Sequence, residues 1–163
     1  MTRPPPQPAT ALLKPGTAAP DFALLDQTGR EVTLRQFRNQ APVVLFFYPK
    51  DGTAGCSAQN CGFRDHFDEL VGHGAEVIGV SSDTVASHRA FAERLRLPFT
   101  LLSDPDHMVR AAFGVPKTLG LIPGRVTFVI DRQGVIRQVF NSQFRPAAHV
   151  ARALSALSTL PRD

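Results

Sequence analysis

Both cysteines of the 163-residue chain lie in the run Pro49-Lys50-Asp51-Gly52-Thr53-Ala54-Gly55-Cys56-Ser57-Ala58-Gln59-Asn60-Cys61. Two thiols at this spacing could attack an electrophile, form a disulfide, ligate a metal or pack as small apolar side chains. The metal reading is weak, because two thiols need further ligands and His66 and His73 downstream have no zinc spacing. If Thr53 caps a helix, Ala54, Gly55 and Cys56 are its first three residues, and Cys56 lies among backbone N–H groups without intrahelical partners. Those donors and the helix dipole favour a thiolate by ~0.3–1 kcal/mol, or ~2 kcal/mol when partly buried. That is too little by itself, so a cation must supply the rest. Arg125 is a candidate because it opens the apolar run Val126 to Ile130, the alternative being a surface arginine at a strand end. Pro49 either shields the thiol or simply ends the strand before it.

Spacing adds a constraint. Residues five apart on an ideal helix are separated by a rise of ~7.5 Å and a turn of ~140°, which puts their Cα atoms roughly 8.6 Å apart. A disulfide needs less than about 7 Å. Cys56 shares a face with Phe63, Phe67 and Leu70, whereas Cys61 points well round from it. If the two thiols bond, at least one turn of this helix opens.

The elements that must position these residues read as an α/β chain. Val43 to Tyr48 is a buried strand ending at Pro49, and reactive groups of α/β sheets gather at the carboxyl ends of such strands. Before it, Asp21 to Leu25 and Glu31 to Leu34 flank Gln27-Thr28-Gly29 as a hairpin. After it come a helix running past Phe63, Phe67, Leu70 and Val71, and the strand Glu76 to Ser81. A helix capped by Asp83 or Thr84 and the strand Phe99 to Leu102 follow. Asp104-Pro105 opens a further helix closed at Gly114, and Arg125 to Ile130 with Val135 to Phe140 form a second hairpin. Pro146 starts the last helix. The order specifies a thioredoxin-like fold: a central mixed sheet flanked by helices, with an N-terminal hairpin.

Pro49-x-x-x-Thr53-x-x-Cys56 resembles the active-site signature of the peroxiredoxins. Tyr48-Pro49-Lys50-Asp51, Cys61-Gly62-Phe63-Arg64-Asp65 and Gly124-Arg125-Val126-Thr127-Phe128-Val129-Ile130-Asp131 are similar to the bacterioferritin-comigratory-protein, or Q-type, branch. The resemblance runs from about Gly16 to the last helix. It implies a thiol peroxidase in which Cys56 is the peroxidatic cysteine and Cys61 the resolving one, the two forming a redox disulfide. It also implies catalytic roles for Thr53, Arg125 and Pro49, a hydroperoxide substrate, thioredoxin or a similar dithiol protein as reductant, and no cofactor or metal. Two positions depart from the branch: Ala54 stands where it commonly has Pro, and Gln59 where it commonly has Glu. The first implies a looser start to the helix, and the second removes a charge beside it.

Composition sets the remaining expectations. With 43% hydrophobic residues the chain can bury a sizeable core. The expected division is a flexible Pro-rich leader over 1–15 and one domain over 16–163. The net charge of +4 is scattered, which argues against nucleic-acid binding, and no apolar run is long enough to span a bilayer. Two cysteines and no secretory leader point to a cytoplasmic protein, expected to be a monomer. Two other classes compete with the peroxidase: a thioredoxin-like disulfide oxidoreductase, which would favour Cys-x-x-Cys, and a noncatalytic redox-sensing domain.

Overall fold

The structure is a computed structural model that describes residues 6–118 and 122–161. Residues 1–5 of the expected leader and the last two of the expected domain lie outside the described residues. The strands are β1 (Ala23–Asp26), β2 (Glu31–Thr33), β3 (Val43–Phe47), β4 (Glu76–Ser81), β5 (Thr100–Ser103), β6 (Lys117–Thr118), β7 (Ile122–Pro123), β8 (Val126–Ile130) and β9 (Ile136–Asn141). The helices are α1 (Ala54–Asp65), α2 (Phe67–Gly72), α3 (Val85–Leu95), α4 (Met108–Ala112) and α5 (Pro146–Ser158), with a 3-10 turn at Leu34–Phe37.

Seven strands form one sheet in the order β2-β1-β5-β4-β3-β8-β9. β3, β4 and β5 run parallel, while β8 pairs antiparallel with β3, and β9 with β8. The sheet is therefore mixed. The N-terminal hairpin belongs to it, because β1 pairs antiparallel with β5. β6 and β7 form a separate two-stranded ribbon.

Strand β3 is buried on both faces, as its unbroken apolar run requires. Alternate residues then feed two cores. Val43, Leu45 and Phe47 pack with Phe22, Val109, Phe113 and Phe128 on one side. Val44, Phe46 and Tyr48 pack on the other with Cys56, Phe63, Leu70, Phe91, Val150 and Leu157, from α1, α2, α3 and α5. Phe46 stacks on Phe63 with ring centroids 4.4 Å apart, which fixes α1 over the end of β3.

Three details correct the sequence reading. The helix expected to run unbroken past Phe63 and Leu70 is divided at His66, whose Nδ1–H donates to the Gly62 carbonyl (3.0 Å). A side chain entering the backbone ladder in this way bends a helix. The helix expected to open at Asp104-Pro105 begins at Met108, yet Asp104 still caps it, accepting from the Val109 and Arg110 N–H groups (3.1 and 2.9 Å). Part of the segment expected to be a flexible leader is laid against α4: Ala9 and Leu13 donate to the Ala111 and Phe113 carbonyls (2.9 and 3.1 Å). Gly114, at φ +69°, makes room for it, since a Cβ there would collide with the Ala11 carbonyl.

Candidate active site

β3 ends at Phe47, and the chain crosses Tyr48 to Gly52 before Thr53 starts α1 from extended backbone (φ −75°, ψ 153°). Thr53 occupies the cap position, but its hydroxyl donates to the Lys50 carbonyl (3.1 Å) rather than accepting from the helix. The first turn of α1 has no acidic residue. Its N–H groups and dipole are thus left for an anion, and Cys56, fully buried, is the group placed among them.

Arg125, immediately before β8, completes the centre from the neighbouring strand. One terminal nitrogen donates to Cys56 Sγ (3.4 Å), the other to Gln59 Oε1, and Nε donates to the Gln143 carbonyl (3.2 Å). A Cβ on Gly55 would sit 3.1 Å from this guanidinium, so a glycine in the first turn of α1 is what allows its close approach. Pro49, Thr53, Gly55 and Arg125 line a cavity of about 390 Å³ together with Ile122, Gln143, Phe144 and Pro146. Of the expected site residues, Pro49, Thr53 and Arg125 line this cavity, and Cys56, fully buried, lies behind its wall against the Arg125 guanidinium. The structure keeps Cys61 apart, half-buried farther along the continuous helix α1, and both thiols are free.

Sequence reasoning missed the groups that brace the centre. Arg110, 5% exposed, donates to the Tyr48 carbonyl (2.9 Å) and the Gly124 carbonyl (2.8 Å), tying the end of β3 to the start of β8. Burial pushes its pKa down to about 10, so it remains a cation at neutral pH. Asp51 accepts from Tyr48 Oη (2.7 Å) and Ser87 Oγ (3.0 Å), lies 2.8 Å from His88 Nδ1, and donates its N–H to Asp83 (2.8 Å). Burial holds the Tyr48 hydroxyl protonated, well above its ordinary range. Asp51, Asp83 and His88 offer ligand atoms within 4.8 Å of one another. These atoms are engaged with Tyr48, Ser81, Ser87 and backbone, so the cluster reads as a clamp on the loop before Thr53.

His149 on α5 fixes the other wall. Its Nε2–H donates to the Ser142 carbonyl (2.8 Å) and its Nδ1 accepts from the Thr127 hydroxyl (2.7 Å), while the Ser142 N–H donates to the Arg125 carbonyl (3.2 Å). Burial lowers its pKa from 6.5 to about 4, with the nearby Arg125 charge adding to the shift. The unfolded chain therefore takes up this proton near pH 6.5 and the folded chain only near pH 4. The resulting stability is complete above about pH 6.5 and is lost as pH falls toward 4, amounting to about 3 kcal/mol. Urea unfolding at pH 7.5 and 4.5 checks this: the wild type should lose stability on acidification by about that much more than His149→Gln.

An oxidisable thiol set at the start of a helix, beside a buried arginine and at the carboxyl end of a thioredoxin-type strand, defines a thiol-based redox enzyme. Residues 15–139 match the AhpC/TSA family. The chain is 49% identical over 146 residues to a chloroplastic peroxiredoxin Q of Triticum aestivum, covering 89% of this chain and 67% of that one. A counterpart in Sedum lineare is 48% identical, covering 89% and 78%. Among solved structures, peroxidoxin BcpB from Mycobacterium tuberculosis superposes with a TM-score of 0.85 at 39% identity, covering 91% of this chain and 99% of that one. Peroxiredoxin Q of Xanthomonas campestris gives 0.78 at 31% identity, covering 84% and 89%. The chain belongs to the AhpC/TSA family and, within it, to the Q-type peroxiredoxins, thiol-dependent peroxidases.

Proposed function

We propose that this peroxidase reduces hydrogen peroxide and organic hydroperoxides with Cys56 as the attacking thiol and Cys61 as the resolving one. The observation that carries the assignment is the Arg125 guanidinium donating to Cys56 Sγ at 3.4 Å beside a cavity whose wall includes Ile122, Phe144 and Pro146. The cation favours the thiolate, and the apolar wall suits the organic part of a hydroperoxide.

In the first step the Cys56 thiolate attacks the distal oxygen, the O–O bond breaks, and the leaving oxygen takes a proton and departs as water or an alcohol. Arg125, the Cys56 N–H and the Thr53 hydroxyl, once it turns from the Lys50 carbonyl toward the peroxide, stabilise the charge that builds on that oxygen. Cys56 is left as a sulfenic acid. The Cys61 thiol then attacks its sulfur, water leaves, and a disulfide forms. Thioredoxin or a similar dithiol protein supplies the two electrons that return both thiols.

The second step requires α1 to open, and the helix is built to permit it. It carries Gly55 and Gly62, each ~1 kcal/mol less favourable than Ala in a helix interior, and no side chain bonds its first turn from Thr53. Asn60 Nδ2 donates to the Cys56 carbonyl (2.9 Å), an alternative partner for a backbone group that opening would free. We further assign the chain to the cytoplasm as a monomer. The cytoplasmic part of the assignment is supported by a cycle that consumes reducing equivalents from a dithiol protein.

Steady-state assays with hydrogen peroxide or cumene hydroperoxide, each coupled to thioredoxin, glutaredoxin or glutathione, test the reading. Consumption of both peroxides with thioredoxin is expected. Insulin reduction without peroxide consumption would instead establish a disulfide oxidoreductase.

A further inference from the structure

The Arg125 cation is buried (4% exposed) and is held by the Gln143 carbonyl, the Gln59 amide oxygen and the Cys56 sulfur. None of these acceptors is charged unless Cys56 ionises. Among the described residues no ion pair involves Arg125. The other charged or titratable groups that act on this pair do not cancel its charge. Arg110 from α4 is a second cation, whose own counter-charge is Asp104. His149 from α5 is held neutral by burial, and Cys61 lies farther along α1. A buried guanidinium without a carboxylate gains most by pairing with a thiolate.

Gln59 is what leaves it in that state. The side chain is fully buried, and its Nε2 finds no hydrogen-bond partner among the described residues. A buried donor left unsatisfied works against stability, so the amide is not explained by its own hydrogen bonding. Among the described residues its one side-chain partner is the Arg125 guanidinium.

We propose that Gln59 is a positioning residue of the peroxidase centre, which fixes Arg125 against Cys56 through a neutral acceptor and so leaves the guanidinium charge to the thiolate. The proposal rests on Cys56 being the attacking thiol. A carboxylate in the same place would hold the guanidinium more firmly, yet would share the cation between two anions and favour the thiolate less. Firm positioning and high thiol reactivity therefore pull in opposite directions at residue 59, and glutamine takes the reactive side.

The test compares Gln59→Glu and Gln59→Leu in a Cys61→Ser background, where iodoacetamide alkylation reads Cys56 alone. In Gln59→Glu the pH profile of alkylation should move upward by about one unit, making the thiol about tenfold slower on the rising part of the profile. In Gln59→Leu the profile should move by much less than in Gln59→Glu, because no competing anion is added, while the reaction with hydrogen peroxide slows because Arg125 has lost an anchor. A role confined to holding Arg125 predicts the reverse order, with Gln59→Glu close to the parent and Gln59→Leu displaced. That order, or an unmoved Gln59→Glu profile, would overturn the proposal. Gln59→Leu also stands alone, since a full-unit displacement in it contradicts the charge argument. Peroxide consumption by Cys56→Ser, measured in parallel, would refute the reading of Cys56 without altering the order of the profiles.

Discussion

Cys56→Ser should remove all catalysed peroxide consumption, whereas Cys61→Ser should complete one turnover and stop. The two cysteines occupy one helix but different environments, and the difference assigns the steps. Cys56 is fully buried at the start of α1, with the Arg125 guanidinium 3.4 Å from its sulfur. A serine there keeps the volume but supplies a hydroxyl that neither the dipole nor the cation can ionise at neutral pH, so the nucleophile is lost outright. Cys61 is half-buried and has no comparable contact with Arg125. Its replacement leaves the first attack intact and removes only the thiol that condenses with the sulfenic acid. Stopped-flow mixing with one equivalent of hydrogen peroxide, followed by dimedone trapping and mass spectrometry, should show an unchanged first phase. Stoichiometric sulfenic acid on Cys56 should accumulate without a second phase. Continued turnover by Cys56→Ser would end the assignment.

Opening of α1 is the link between these two outcomes. Cys56 and Cys61 lie on a continuous helical segment, so the geometry that separates their Cα atoms by roughly 8.6 Å applies as built. Oxidised protein should lose hydrogen-exchange protection around residues 56 to 61. In the reduced state the same segment is needed as a helix, because its N–H groups and dipole face the thiol. On the proposed cycle, one stretch of chain would serve two steps by changing conformation between them.

What could be read from the sequence was local. The apolar run before Pro49, the cap at Thr53 and the position of Cys56 in the first turn follow from neighbouring residues, and the structure has all three. From its own surroundings Arg125 was legible as a charge out of place before a buried strand, and its catalytic role came from the family resemblance. Its contact with a thiol 69 residues away is set by the antiparallel pairing of β8 with β3. The groups that brace the centre gave no signal. Arg110 sits in Met-Val-Arg-Ala-Ala, where an arginine reads as solvent-exposed, and it is buried because α4 crosses the ends of β3 and β8. His149 reads as one more helical histidine until the loop after β9 brings Ser142 to it. The Asp51 and His88 contact spans 37 residues and exists only because α3 packs beside the end of β3. The break at His66 escaped the reading because an imidazole bonding into its own helix leaves the apolar spacing unchanged.

Arg125→Met should lower kcat/KM for hydrogen peroxide by about 10²–10³, the cost of deleting one well-placed donor to a developing oxyanion. The guanidinium is nearly fully buried, so its charge acts through protein rather than water. It contacts the sulfur directly while forming part of the cavity wall, so a single group can act on both the attacking and the leaving atom. It is also anchored by Gln59 and the Gln143 carbonyl, with Gly55 leaving the space for it, and so needs little reorganisation when charge develops. Arg125→Lys separates charge from geometry. An ammonium restores a cation but cannot reach Gln59, Gln143 and Cys56 at once, so it should recover only part of the lost rate. Pre-steady-state rates for the wild type and both variants, with urea midpoints to confirm folding, decide the matter. Full activity in Arg125→Met would remove the cation from the mechanism, and full rescue by Arg125→Lys would reduce its role to charge alone.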